Sequence, residues 1–197
     1  MNNTQKTVKR WFDIAVSVVC LVVFSPLFLY CYILIRNEDG GPAIFSQERI
    51  GMHGKPFFIY KFRSMKVDAE NNEPALACPT NDDRLTKAGA FLREHHLDEL
   101  PQLWNVLKGD MSFIGPRPER KVYIDQIMRH NPNYERLYQI HPGVTSYATL
   151  YNGYTDTMEK MLRRLELDLQ YLDNYSLLTD MKLLWKTFTN IVKGKIF

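Results

Sequence analysis

Asp98 and Glu99 stand side by side in the stretch LDELPQLWNVLKGDMSFIGPRPER, which begins at Leu97. Two carboxylates at a helix start can serve as caps, because negative charge is stabilised at a helix N-terminus. Neighbours on a helix point about 100° apart, so the pair cannot share one role in one place. Their company points to chemistry. YKFRSM supplies Lys61 and Arg63, FLREHH supplies Arg93, and GPRPER supplies Arg117 in a turn stiffened by Pro116 and Pro118. A carboxylate pair among cations suits a phosphorylated substrate and a divalent metal. Proline on both sides of Arg117 limits backbone freedom, which lowers the entropy lost when that side chain is fixed.

Other polar residues carry weaker signals. His95 and His96 adjoin the carboxylate pair, but local structural or solvent roles are the expectation, and His53 lacks metal-ligand company. Asp168, in RLELDLQYL, could support the site from behind, although an ordinary helix salt bridge is the simpler expectation. Tyr147, Tyr151 and Tyr154 could line a sugar or base pocket, with core packing expected for at least one of them.

The elements that must position these groups are legible in outline. A helix is expected to start at Asp98 and Glu99, with Pro101 in its first turn and Gly109 at its end. Leu100, Leu103, Trp104 and Leu107 fall at helical spacing and predict its buried stripe. Thr86 caps a preceding helix that runs to about His95. Upstream, AIFSQERIG and KPFFIYKFRSM, separated by MHG, predict a small hairpin. The polar stretch from Lys66 to Asp83 reads as a long excursion, of the kind that is functional or mobile. Further helices are expected over Glu119 to Arg129, Thr157 to Asn174 and Leu177 to Lys193. The last is amphipathic, setting Leu183, Leu184, Phe188 and Ile191 against Lys182, Lys186 and Lys193, so it either covers the core or lies on a membrane surface. The fold class is α+β, mostly helical with a small β-hairpin or sheet and C-terminal amphipathic helices.

Composition agrees with a folded catalytic domain. The chain has 197 residues, of which 45% are hydrophobic and 13% aromatic, enough for a core and against disorder. A net charge of +3 is compatible with anionic lipid or nucleotide phosphates but is far from that of a nucleic-acid binder. Three cysteines, two of them in an apolar run, argue against a disulfide framework. That run, Ile14 to Ile35, is long enough to cross a bilayer core. Lys6, Lys9 and Arg10 flank one end and Arg36 the other, and Ser25-Pro26 breaks the middle. From these residues alone a bent spanning helix and a re-entrant helix that returns to its own face are equally compatible.

The combination of KRWFDI, the Ser-Pro break, QERIG, YKFRSM, DRLTKAGAFLR, LDELPQLWNVLKGDMSFIGPRPE and HPGVT resembles the small monotopic phosphoglycosyl transferases. The resemblance runs from about Lys9 to the C-terminus. It implies a re-entrant membrane helix over residues 1–38, broken at Ser25-Pro26, and a catalytic domain over 39–197 at the cytoplasmic face of a bacterial inner membrane. It implies transfer of a phosphosugar from a UDP-sugar to polyprenol (undecaprenyl) phosphate, giving polyprenol diphospho-sugar and UMP. Asp98 would be the nucleophile and, through its second oxygen, the best Mg²⁺ ligand. Glu99 would assist proton removal from the acceptor. Lys61, Arg93 and Arg117 would contact diphosphate or nucleotide, and Arg63, a weaker candidate, could instead pair structurally. The expected partners are the UDP-sugar, polyprenol phosphate and membrane lipid, with no nucleic acid; self-association into a homo-oligomer is compatible with this reading. One stretch departs from the family pattern. After HPGVT the chain reads SYATLYNGY, placing Tyr154 where many members carry an arginine, a charge that Arg163 or Arg164 could supply. A catalytically silent scaffold of a glycan-assembly complex and a membrane-bound metal phosphohydrolase are the competing readings.

Overall fold

The computed structural model describes residues 1–69, 83–153, 155 and 157–193. Most of the long excursion expected between Lys66 and Asp83, and Tyr154, therefore lie outside the described residues. Helix α1 (Asn3–Val23) starts at a capping box in which Asn2 and Gln5 bond reciprocally, and α2 (Ser25–Asp39) ends at Gly40 in the left-handed conformation. The two meet at Phe24 with a bend of 62°. Pro26 lacks the N–H that would continue the ladder, and the Ser25 hydroxyl donates to the Val22 carbonyl across 2.8 Å instead. No single helix among the described residues is long and apolar enough to cross a membrane, whereas the bent pair passes that test together.

Helix α1 is polar inside and apolar outside. Lys9, Asp13 and Ser17, at a spacing of one helical turn, are its buried residues, while Trp11, Val19, Val22 and Val23 point outward. The inner residues tie α1 to the rest of the molecule. Lys9 Nζ donates to Asp180 at 2.5 Å and to the Ile114 carbonyl at 3.1 Å, Asp13 accepts from the Phe113 amide, and Arg10 donates to the Val106 and Leu107 carbonyls.

The expected hairpin is present. Strands β1 (Ile44–Ile50) and β2 (Pro56–Phe62) pair antiparallel in the register Phe45 opposite Lys61, joined by a 3₁₀ turn over Met52–Gly54. Thr86 caps α3 (Lys87–Glu94) as expected, accepting from the Gly89 amide, and Glu38 at the end of α2 accepts from the next two free amides, Lys87 and Ala88. Cys31 and Ile35 of α2 bury against Phe62 of β2 and Leu92 of α3, so the second helix is also part of the core.

The helix expected at Asp98 is two pieces. Leu97–Glu99 is a 3₁₀ turn entered through His96 at φ +55°, and α4 proper is Gln102–Lys108, with Pro101 as its N-cap and Gly109 ending it. Its buried stripe also differs. Gln102, Leu103, Asn105 and Val106 face inward, Leu100 and Leu107 are half-buried, and Trp104 is exposed. Asn105 takes the inward position because its amide has backbone to pair with. It accepts from the Tyr60 N–H and donates to the Phe58 carbonyl, closing the open edge of β2 onto α4.

A second, parallel pair of strands, β3 (Ser112–Ile114) and β4 (Gly143–Thr145), was not foreseen. The rest is helical: α5 (Lys121–His130), a 3₁₀ stretch over Pro132–Gln139, α6 (Tyr147–Asn152), α7 (Met158–Asp173) and α8 (Leu177–Val192). Ile124 and Ile127 of α5 pack on Leu137 and on Met161 and Leu165 of α7. Leu183 of α8 is buried on Ile114 and Tyr171, yet Phe188 and Ile191, expected beside it, are exposed together with Met181 and Trp185. The architecture is thus mostly helical with two small sheets, an α+β arrangement.

Candidate active site

Strand β2 delivers Lys61 to Glu99, its Nζ donating to Oε1 across 2.6 Å. Arg117 approaches the same oxygen at 3.5 Å. A carboxylate with two cations on one oxygen is held strongly in its ionised form. Burial opposes ionisation of Glu99, but the Lys61 and Arg117 charges outweigh it and hold the carboxyl at about 2. Asp98, one residue earlier, moves the other way. Burial lifts it above the usual carboxylate range; the Lys61 and Arg93 charges oppose the rise and the Glu99 charge adds to it. In a 3₁₀ turn successive residues diverge by about 120°, which gives neighbouring carboxylates different surroundings. Two carboxylates pushed apart in this way are suited to different tasks, and the more basic one is the better nucleophile.

The cations sit at different ranges. Arg93 Nε donates to Ser64 Oγ at 2.9 Å, which fixes it on α3 with its charge felt at Asp98. Arg63 is buried and fully occupied elsewhere: Nε donates to the Pro42 carbonyl, and Nη1 and Nη2 grip the two Asp39 oxygens. It clamps the end of α2 to β2, which is the structural pairing foreseen as its alternative role.

Arg117 depends on two distant segments. The Gly115 amide donates to Thr145 at 3.1 Å and the Gly143 amide donates to Pro116 at 2.9 Å, so HPGVT holds the Pro-Arg-Pro turn from one side. The approach is too close for a side chain, since a Cβ on Gly143 would lie 2.1 Å from the Gly115 nitrogen. From the other side the Ile50 amide donates to the Glu119 carbonyl. Behind the turn, Arg164 Nη2 pairs with Glu119 at 2.8 Å and Arg49 reaches the other Glu119 oxygen at 3.7 Å. Asp168 is also here, behind the site, and not in the ordinary helix salt bridge that was the simpler expectation. It is buried, with Oδ1 lacking a hydrogen-bond partner among the described residues, and the Ala148 and Arg117 backbones and the Ser146 side chain only partly offset the burial. Burial pushes its carboxyl up to about 7 against the nearby Arg164 charge.

Glu119 and Asn105 are site-supporting residues that sequence reasoning passed over. Glu119 lies inside the GPRPER run, but its partner is far along the chain. Arg163, the other candidate for the missing arginine, pairs on the surface with Glu166, whereas Arg164 is directed inward to Glu119 and Thr155. His95 stacks on Phe91 and bonds its carbonyl, His53 and His96 occupy left-handed turn positions, and the His96 charge is felt at both Asp98 and Glu99. Tyr147 and Tyr151 stack on each other at 4.7 Å.

Among the described residues no three His, Cys, Asp or Glu side chains converge as a protein-only metal cage. Mg²⁺ does not need one, because it binds through one or two carboxylates, substrate phosphates and water. Asp98 is a hard oxygen donor beside cations that would carry the rest of a diphosphate, and so fits a metal shared with substrate.

A family model described as bacterial sugar transferase matches residues 4–194. The chain is 40% identical over 187 residues to the UDP-N-acetylgalactosamine-undecaprenyl-phosphate N-acetylgalactosaminephosphotransferase of Aeromonas hydrophila, which covers 95% of this chain and 44% of that protein. It is 40% identical over 198 residues to the UDP-glucose:undecaprenyl-phosphate glucose-1-phosphate transferase of Klebsiella pneumoniae, covering 100% and 42%. A protein of the same name from Caulobacter vibrioides is 38% identical over 186 residues, covering 93% and 69%. The chain spans less than half the length of the first two relatives.

Proposed function

The chain belongs to the bacterial sugar transferase family, and from that premise we propose that it moves a phosphosugar from a UDP-sugar to polyprenol phosphate through a covalent intermediate on Asp98. The observation that carries this reading is geometric: Asp98 and Glu99 share one turn, with Lys61 at 2.6 Å and Arg117 at 3.5 Å from Glu99, so that burial raises Asp98 while the cations lower Glu99. In the first step an Asp98 carboxylate oxygen attacks the sugar-bearing phosphorus, the bond to the UMP oxygen breaks, and UMP leaves. In the second, an oxygen of polyprenol phosphate attacks the same phosphorus and Asp98 is released. Dividing the transfer this way lets one carboxylate serve both halves.

Lys61, Arg93 and Arg117 supply the positive charge that a carboxylate needs to approach a diphosphate. Asp98, together with the substrate phosphates, would hold Mg²⁺, which would supply charge neutralisation for the transferring group. Glu99 at about 2 is too weak a base to take a proton while Lys61 and Arg117 stay on it. It becomes one as those cations turn to phosphate, so substrate binding itself prepares the base. Arg63 acts as the structural clamp between α2 and β2.

The bent pair of α1 and α2, with its polar face inward, supports a re-entrant seat in the cytoplasmic leaflet of a bacterial inner membrane. The equally similar relatives carry names with different sugars, so the sugar is a matter for a substrate screen. The experiment that tests the mechanism uses the full chain in detergent with Mg²⁺ and UDP-sugars but no acceptor. Expected is stoichiometric UMP release with a phosphosugar attached to Asp98, and neither in Asp98→Asn. An adduct elsewhere, or turnover with water as the only acceptor, would overturn the proposal, the second in favour of a hydrolase.

A further inference from the structure

A partly open cavity of about 150 Å³ lies between α1, β3 and α8, away from the paired carboxylates. Val8 and Phe12 of α1, Phe113 of β3, and Leu177, Met181 and Leu184 of α8 form its apolar wall. Three charged side chains, Lys9, Asp13 and Asp180, also line it and are bonded within the protein, Asp13 accepting from the Phe113 amide. Lys9 donates to Asp180 and Ile114, and the Tyr171 hydroxyl donates to the second Asp180 oxygen at 2.6 Å. A ligand that offers hydrogen bonds or charge would find few partners here, and water would fare no better. Apolar cavities of about this size, about 150 Å³, stay dry and accept small hydrocarbons such as benzene.

The mouth of the cavity tells where such a hydrocarbon comes from. Val8, Phe12 and Met181 line the cavity and are also exposed, at 51%, 37% and 53%. They continue outward into Trp11 of α1 and Leu178 and Trp185 of α8, all more than half exposed. The cavity therefore opens onto the apolar outer face of the helix that carries the proposed membrane seat. Exposed apolar surface of that extent marks an interaction site. We infer that this cavity takes the end of an acyl chain from a bilayer phospholipid, which wedges between α1 and α8. The inference rests on the membrane seating proposed above. The chain contributes buried apolar contact at the junction where Lys9 joins the two helices, and it recognises hydrocarbon rather than a headgroup.

The test places the full chain in phosphatidylethanolamine–phosphatidylglycerol vesicles doped with a phospholipid bearing a diazirine on its acyl chain. After irradiation, adducts are mapped by mass spectrometry. The inference expects adducts at Phe113 or Ile114, the latter only 1% exposed, in addition to surface adducts at Trp11 and Trp185. Filling the cavity with Leu184→Trp should abolish the inner adducts and spare the outer ones; Val8→Phe fills it from the opposite wall if the first variant fails to fold. Outer adducts without inner ones would overturn the inference and leave the membrane seat standing. Absence of both would overturn the seat and the inference together. Loss of the inner adducts on adding equimolar polyprenol phosphate would assign the cavity to the isoprenoid chain and overturn the acyl-chain occupant.

Discussion

Lys61 and Glu99 are joined across 2.6 Å by a bond from strand β2 to the residue beside Asp98. This pairing makes the two adjacent carboxylates unequal. Lys61 and Arg117 hold Glu99 ionised, and the charge kept on Glu99 helps hold Asp98 basic.

A pH profile follows from that relationship. Single-turnover UMP release should fall on acidification through the raised Asp98 pKa, because only the carboxylate attacks. Glu99→Gln removes a neighbouring negative charge that raises Asp98 and leaves Lys61 without its partner, and both effects lower the Asp98 pKa. The acid limb should therefore move to lower pH in that variant, even as the transfer to polyprenol phosphate is impaired. An unmoved limb would mean that a group other than Asp98 titrates in the first step.

Arg117→Lys should be damaging, because a point charge cannot reproduce a planar fork that reaches Glu99 and phosphate together. We expect about a hundredfold loss in UMP release, the size of losing one oriented donor to a developing anion, with the unfolding midpoint unchanged. Wild-type kinetics in this variant would leave Arg117 a purely structural residue.

Asp168 gives a stability signature distinct from activity. Its folded-state pKa of about 7 lies above that of an ordinary carboxyl. The native state therefore holds a proton that the unfolded chain releases between about pH 4 and 7. This contribution is fully present below the unfolded pKa and is lost as pH rises through 7. Thermal unfolding in detergent should show stability falling over that window, and Asp168→Asn, permanently neutral, should flatten the slope. An identical slope in the variant would show that the carboxyl does not titrate there.

The break between α1 and α2 can be tested by topology. Pro26 leaves the Val22 carbonyl without its helical donor, and Ser25 supplies a hydroxyl instead. Ser25→Ala with Pro26→Ala should restore a continuous helix and favour spanning. A single cysteine at Asn3, in a chain otherwise free of cysteine, should resist a membrane-impermeant reagent in intact cells for the parent and react in the double variant. Reaction in the parent would show that the segment already spans.

The sequence showed the hairpin because MHG punctuates two runs rich in β-branched and aromatic residues, and it showed α3 because Thr86 and the following apolar spacing agree. It misplaced the helix start at Asp98 because carboxylates and a proline suit a first turn equally well whether that turn is α or 3₁₀. The stripe of α4 was misjudged for a different reason. Periodicity sorts by hydrophobicity, which favours Trp104, whereas Asn105 is buried to pair with Phe58 and Tyr60 on a separate strand. Glu119 with Arg164 is likewise a contact between remote segments, invisible to local pattern. A signal did exist for the inner face of α1, where Asp13 and Ser17 follow Lys9 one turn apart in a stretch that is otherwise apolar from Trp11 to Val23.

That inverted helix has a consequence for anyone wishing to handle the protein in water. Removing residues before Gly40 would strip Asp180 of its lysine, the Val106 and Leu107 carbonyls of Arg10, and the Phe113 amide of Asp13. The apolar-faced segment is bonded into the rest of the fold through these buried polar groups, so its removal should cost the fold of what remains. A water-compatible version would instead repaint the outward residues of α1, among them Trp11, Val18, Val19 and Val22, and leave every inward residue in place.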